Sequence, residues 1–166
     1  GHGGGFNPNT NEFWYPEWNG STIYRYDRDH NLLGTFDSGQ REILQLWVDS
    51  DSATDYYTAN NYYHTITKRN GNSTIWTYNI GSGQYARNLS TDANYVYALS
   101  YYNSNKIHVL DKNTGAFVKY INLPGQLYTV GALVIANGFI YIGGNASGWS
   151  NLPNNYRVLH QLDLNG

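Results

Sequence analysis

Asp49-Ser50-Asp51-Ser52-Ala53-Thr54-Asp55 places carboxylates at positions 1, 3 and 7 of a short run. That spacing suits a hard cation such as calcium, because oxygen ligands converge when the backbone coils around an ion. An EF-hand loop also needs Gly at position 6 and Glu at position 12, and Thr54 and Asn60 stand there instead. The competing reading is a turn whose Asp side chains accept backbone N–H bonds, and it is preferred. Asp49, Asp51 and Asp55 remain the candidate metal ligands, and calcium is the sole cofactor the sequence suggests.

Other reactive groupings are thin. The five His are not spaced as ligands on a helix, and there is no Cys to share a metal with them. His108 and His160 hold the same place in two repeated segments, which points to a repeated packing or surface position. No Gly-x-Ser-x-Gly nucleophile elbow occurs. Three Glu and nine Asp include no pair that the pattern marks as acid and base for glycoside cleavage. The expectation is a protein that is not an enzyme.

Aromatic residues are more suggestive. Seventeen Tyr, five Trp and five Phe include the doublets Tyr56-Tyr57, Tyr62-Tyr63 and Tyr101-Tyr102. Neighbours in a strand point to opposite faces, so one ring of each doublet can be buried while the other meets solvent. Exposed Tyr and Trp beside Asn suit sugars and low-entropy protein contacts. The candidate contact residues are Tyr62, Tyr63, Tyr101, Tyr102, Asn145 and Trp149, with many of the remaining Tyr expected to fill cores. Asn19, Asn72, Asn88 and Asn145 begin N-glycosylation sequons, close to the chance number for this composition.

These side chains need strands to position them. Four segments share an aliphatic residue, two variable residues, a large apolar residue and then Asp or Asn: Ile23–Asp27, Ile75–Asn79, Ile107–Asp111 and Leu159–Asp163. β-branched and aromatic residues dominate them, which favours strand. The first three are followed by a turn in which Asn31, Gly83 or Gly115 supplies a residue tolerant of left-handed backbone. Each copy is therefore read as a β-hairpin. Strand-like runs precede them at 13–15, 56–59, 95–99 and 139–142. Ile43–Val48 and Ala132–Ala136 read as inner strands buried on both faces. Inner strand, second strand, then hairpin is the order of a propeller blade.

The run Lys106-Ile107-His108-Val109-Leu110-Asp111-Lys112-Asn113-Thr114-Gly115 resembles the outer hairpin of β-propeller repeat proteins of the NHL, PQQ-like and kelch-like kind. The resemblance, which runs from about residue 11 to the end, implies an all-β, propeller-like fold of about four antiparallel blades, with residues 1–166 as a single domain. The turn residues Asp27, Asn79, Asp111 and Asp163 are unevenly spaced, which suggests two duplicated pairs and a missing or shared strand. The last copy stops before its second hairpin strand. Residues 1–10 are rich in Gly and Asn, and Gly1 to Pro8 make a poor strand. The first five residues read as a flexible tail or processing remnant, or as a glycine-rich segment docking on another chain. An unclosed sheet edge invites a partner.

Composition bounds the rest. Charged residues make up 13% and the formal net charge is −2, which disfavours nucleic-acid or anionic-membrane partners. No apolar run is long enough to span a bilayer. With no Met, the chain reads as processed or excised. The leading functional expectation is a non-catalytic, extracellular or cell-surface β-repeat module that assembles with copies of itself, as a surface, matrix or filament subunit. The alternative is a lectin-like propeller that binds glycans through loop Tyr, Trp and Asn.

Overall fold

A computed structural model describes residues 3–100, 102–147 and 157–164, without side chains at 102–104, 124–131, 145–147, 157, 158 and 160. Every regular element among them is a β-strand. The chain forms two compact units, residues 1–81 and 82–166.

In the first unit, β1 (Gly5–Asn7), β2 (Glu12–Pro16), β3 (Thr22–Tyr26) and β4 (Leu32–Asp37) form one antiparallel meander. β5 (Ile43–Val48), β6 (Asp55–Asn60), β7 (Thr65–Asn70) and β8 (Ser73–Asn79) form another. In the second unit, β9 (Ala86–Thr91), β10 (Tyr95–Ser100), β11 (Tyr102–Asp111), β12 (Phe117–Ala136), β13 (Phe139–Ser147) and β14 (Arg157–Asp163) lie in one six-stranded sheet. That sheet is two blades fused. The first part of β12 pairs with β11, from Leu110↔Phe117 onward, and its last part pairs with β13, down to Ala136↔Phe139. Register shifts at Leu127/Thr129 and Val130/Ala132 mark where the strand passes from one blade to the next. The fold is all-β and propeller-like, with four blades, two in each unit. The missing or shared strand expected between Asn79 and Asp111 does not account for that short step; the strand that two blades share is β12, which follows Asp111.

The uneven repeat has a structural source. Ile23, Ile107 and Leu159 lie on third strands (β3, β11, β14), but Ile75 lies on β8, the fourth strand of its blade. The third strands end at Tyr26, Asn70, Asp111 and Asp163, steps of 44, 41 and 52 residues, close to the roughly 40–50 residues of a propeller blade. The expected hairpin after Asn79 is therefore absent. β8 pairs only with β7, and β9 belongs to a different sheet. In the first hairpin the left-handed residue is His30 (φ 62°), not Asn31. The Asp27 carboxylate explains this, since it accepts the N–H groups of Asp29 (2.9 Å) and Asn31 (2.8 Å) and the Asn31 amide (2.9 Å). The third hairpin forms as expected. Asp111 accepts from Asn113, Thr114 N–H and Thr114 Oγ1, and Gly115 has φ 71°.

The described part of the N-terminal segment is not a tail, and it forms a strand despite its composition. Gly5–Asn7 pairs with β2, and Gly3 bridges β5 in parallel through Gly3 N–H to Leu44 O and Leu46 N–H to Gly3 O, both 3.0 Å. The glycines are needed for this approach. A Cβ on Gly4 would lie 2.6 Å from the Tyr15 ring and 2.7 Å from Trp14 O, and one on Gly5 would lie 2.9 Å from Leu46 Cδ2 and 3.0 Å from Leu46 O.

Each unit has its own core. In the first, Trp14, Ile23 and Phe36 of one blade pack on Ile43, Leu46, Val48 and Tyr56 of the other. In the second, Leu99, Ile107 and Val109 pack with Leu133, Ile140 and Ile142. β5 is buried largely on both sides, as expected. The 132–136 segment is buried on one face only, because Ala132 and Val134 are exposed while Leu133 is enclosed.

Gly4→Ala and Gly5→Ala should each lower unfolding free energy by about 1–3 kcal/mol, because backbone atoms cannot give way. Gly143→Ala should stay within about 0.5 kcal/mol, since its Cβ would meet nothing nearer than Ala132 Cβ at 3.7 Å. Urea denaturation of the three variants measures the contrast.

Candidate functional site

The acidic run 49–55 is organised around a lysine. Asp49 follows β5, and its Oδ1 accepts the Asp51 N–H (3.0 Å) while its Oδ2 accepts the Tyr57 hydroxyl (2.8 Å). Lys68, on β7, places Nζ 3.7 Å from Asp49 Oδ2 and 3.4 Å from Asp55 Oδ2. It also lies 5.6 Å from the Tyr57 ring centroid. The Lys68 ammonium thus stands between two of the three proposed ligands, and the third, Asp51, lies exposed beside Ser50 Oγ. Among the described residues no group of three or more His, Asp or Glu is arranged to hold a metal.

The same device recurs, and sequence inspection missed it. Asp92, after β9, accepts from Asn94 N–H, Tyr95 N–H and the Tyr97 hydroxyl (2.6 Å). Asn7, at the end of β1, accepts from Asn9 and Thr10 N–H. In three blades an Asp or Asn closes the turn out of the inner strand, and in two of them a tyrosine on the second strand caps it. Burial, and then the hydrogen bond to the aspartate, push the Tyr57 and Tyr97 hydroxyls well above the ordinary tyrosine range. The signal was available as Asp, then Tyr five or eight residues on.

Tyr62 and Tyr63 lie in the β6–β7 turn, 66% and 54% exposed, with rings edge to face at 4.9 Å. The Tyr63 N–H donates to Asn60 Oδ1 (2.9 Å), which fixes the turn. Tyr101 and Trp149 lie outside the described residues. Tyr102 is on β11 and Asn145 on β13, and their side chains are likewise outside them. Asn19 and Asn72 are exposed, whereas Asn88 is buried on β9, so the folded chain does not present that sequon to solvent.

A further aromatic surface was not singled out from the sequence. Cross-strand pairing puts Phe6 beside Phe13, Phe13 beside Tyr26, and Tyr15 beside Tyr24, on the face of the first blade opposite Trp14 and Ile23. Their rings form a chain: Phe6–Phe13 at 5.1 Å, Phe13–Tyr15 at 6.4 Å and Tyr15–Tyr26 at 5.9 Å. His30 stacks on Phe13 at 6.1 Å, and the Arg28 guanidinium lies 5.4 Å from the Phe6 centroid. Two shallow clefts of about 260 and 420 Å³ flank His30, one lined by Tyr15, Tyr24 and Tyr26, the other by Phe6, Phe13 and Arg28. Phe6 and Tyr15 are 37% and 39% exposed. The period-2 pattern was legible in 13–15 and 24–26, but the pairing that assembles one face was not.

Comparison with known proteins supports the fold and nothing finer. No family model matches the sequence, and no curated protein matches it. Solved structures do match. A chain of Kuenenia stuttgartiensis hydrazine synthase aligns with TM-score 0.70 at 16% identity, covering 96% of this chain and 45% of that one. The WD40 repeats of RRP9 align with TM-score 0.65 at 12% identity, covering 93% and 48%. The computationally designed Ika4 protein aligns with TM-score 0.64 at 16% identity, covering 97% and 89%. The chain thus has a propeller-type fold and spans just under half the length of the first two. No helix among the described residues is long and apolar enough to cross a membrane.

His108, buried on β11 edge to face with Tyr120 (4.9 Å), has its pKa held at about 4 by burial and, secondarily, by Lys106. The unfolded chain therefore takes up a proton near pH 6.5 that the folded chain refuses. This contribution to stability is fully present above pH 6.5 and is lost as pH falls toward 4, by up to about 3 kcal/mol. Denaturation of wild type and His108→Phe across pH 4–8 should show that part of the slope vanish in the variant.

Proposed function

We propose that the chain is a non-catalytic assembly module that associates with copies of itself to cover surfaces its own blades leave open. The observation that carries this reading is the outer face of the first blade, where Phe6, Phe13, Tyr15, Tyr24 and Tyr26 form one aromatic layer in contact with solvent. A blade stabilises itself by burying its faces on neighbours, and a contiguous aromatic patch on a water-facing sheet marks an interaction surface. Tyr and Phe supply large contact areas at low entropic cost. The few charged residues add little repulsion against a second copy.

Sedimentation equilibrium over a range of concentrations should give a species heavier than the 18.8 kDa chain. Tyr15→Ser should weaken the association at least tenfold without changing the circular dichroism spectrum. A particle that stays at the mass of one chain at every concentration would refute the reading.

The exposed Tyr62–Tyr63 pair favours a second reading, a glycan-binding propeller. Two rings held edge to face can stack on a sugar from adjacent sides. Under that reading, glycan-array binding should disappear in Tyr62→Ala and Tyr63→Ala. Binding that survives both changes would remove Tyr62 and Tyr63 as the glycan site.

A further inference from the structure

We propose that Asn19 is a site of spontaneous chemical modification: the Gly20 backbone nitrogen attacks its carboxamide, and folding leaves this Asn-Gly step reactive while shielding Asn70-Gly71 and Asn137-Gly138.

The sequence holds four Asn-Gly steps, of which Asn165-Gly166 lies outside the described residues. Asn followed by Gly suits the reaction, because glycine puts no Cβ beside the attacking nitrogen. Ring closure is intramolecular and needs only the right rotation. A five-membered ring forms when the Gly nitrogen lies on the same side of the Asn Cα–C bond as Cβ. Extended strand and left-handed backbone both turn that nitrogen away.

Two of the steps are held in those conformations. Asn137 and Gly138 form the two-residue turn between β12 and β13, where Ala136 pairs with Phe139. Their φ values of 52° and 80° are those of a type I′ turn. Asn70 ends β7 in register with Ser73, and its carboxamide donates to Thr54 Oγ1 (2.9 Å) and Asp55 Oδ1 (2.8 Å). Either step must open locally before its ring can close.

Asn19 has neither restraint. It is exposed in the β2–β3 loop, outside any strand, and its backbone is not left-handed. Among the described residues, no hydrogen bond holds its carboxamide or the Gly20 N–H. The loop is pinned on either side. Trp18 O accepts the Glu42 N–H (3.2 Å), and Ser21 O accepts the Ser38 N–H and hydroxyl, both at 2.7 Å. The segment left to rotate is Asn19-Gly20.

In the first step hydroxide takes the Gly20 N–H proton and the nitrogen bonds to Asn19 Cγ. The Cγ–Nδ2 bond then breaks, and the departing nitrogen takes a proton from water and leaves as ammonia. Water next opens the cyclic imide. Opening at Cγ leaves Asp, and opening at the main-chain carbonyl leaves isoaspartate, with the side-chain methylene now in the backbone. The sum is amide plus water giving acid plus ammonia. Both products add a negative charge and remove the Asn19-Gly20-Ser21 sequon.

The test incubates the intact chain at mildly alkaline pH and follows the three peptides by mass spectrometry, with chromatography separating Asp from isoaspartate. In the folded chain the 19–20 step should convert at least about tenfold faster than 70–71 and 137–138, and in urea the three rates should converge to within about threefold. Gly20→Ala would bring a Cβ first against the end of the flexible Glu17 side chain. With circular dichroism confirming that it folds, this variant should slow Asn19 conversion about tenfold by crowding the attacking nitrogen, with the other two steps unchanged.

A 70–71 or 137–138 step that keeps pace with 19–20 in the folded chain would overturn the selectivity. Asn19 conversion undiminished in Gly20→Ala would overturn the route through the Gly20 nitrogen. A 19–20 step that converts in urea and stays intact in the folded chain would overturn the proposal outright.

Discussion

Trp14, Phe36 and Tyr56 meet edge to face, at 5.2, 5.7 and 5.8 Å between centroids, in the space between the first two blades. Much of the first unit depends on this contact. It lies between β2 and β4 on one side and β6 on the other, so it fixes the spacing and register of two sheets at once. Each such ring pair contributes about 0.5–1.5 kcal/mol beyond its buried area. The glycine strand depends on it as well. With the blades held this close, β1 has room beside β2 and β5 only without a side chain at Gly4 and Gly5.

A sheet has two faces, and burying one does not satisfy the other. The first blade commits Trp14 and Ile23 to the core, so strand alternation turns Phe13, Tyr15, Tyr24 and Tyr26 the opposite way. The final blade does the same with Ile140 and Ile142 against Phe139 and Tyr141. An apolar outer face follows wherever strands are aromatic at successive positions, as in Phe13-Trp14-Tyr15. That sequence is costly to leave in water, which is why the functional reading turns on contact surfaces.

Local chemistry was legible wherever a few neighbouring residues decide the outcome. Asp111, Thr114 and Gly115 specify their turn through bonds that span at most four residues. The strands at 13–15, 43–48, 56–59, 95–99 and 139–142 are carried by β-branched and aromatic runs. Strands β7 and β9 were not legible. Thr65–Asn70 includes Lys68 and Arg69, which look like surface residues. They are buried because Lys68 meets Asp49 and Asp55, while Arg69 donates to Asn72 O and to Thr74 Oγ1 at 2.7 Å. Gly5–Asn7 has poor strand propensity and became a strand because two neighbours offered it backbone partners.

By itself the sequence determined an all-β chain, its propeller-like repeat and the chemistry of the Asp111–Gly115 turn, because alternation and Asx or Gly turns act over a handful of residues. It could not assign Ile75–Asn79 to a fourth strand, because the same local pattern suits any strand with one buried face, and only pairing tells β8 from β3. Nor could it tell a metal ligand from a lysine partner at Asp49, since Lys68 arrives from another strand. Tertiary structure decided those matters. It also decided which aromatic rings share a face, because a face of a sheet exists only once separate strands have chosen their register.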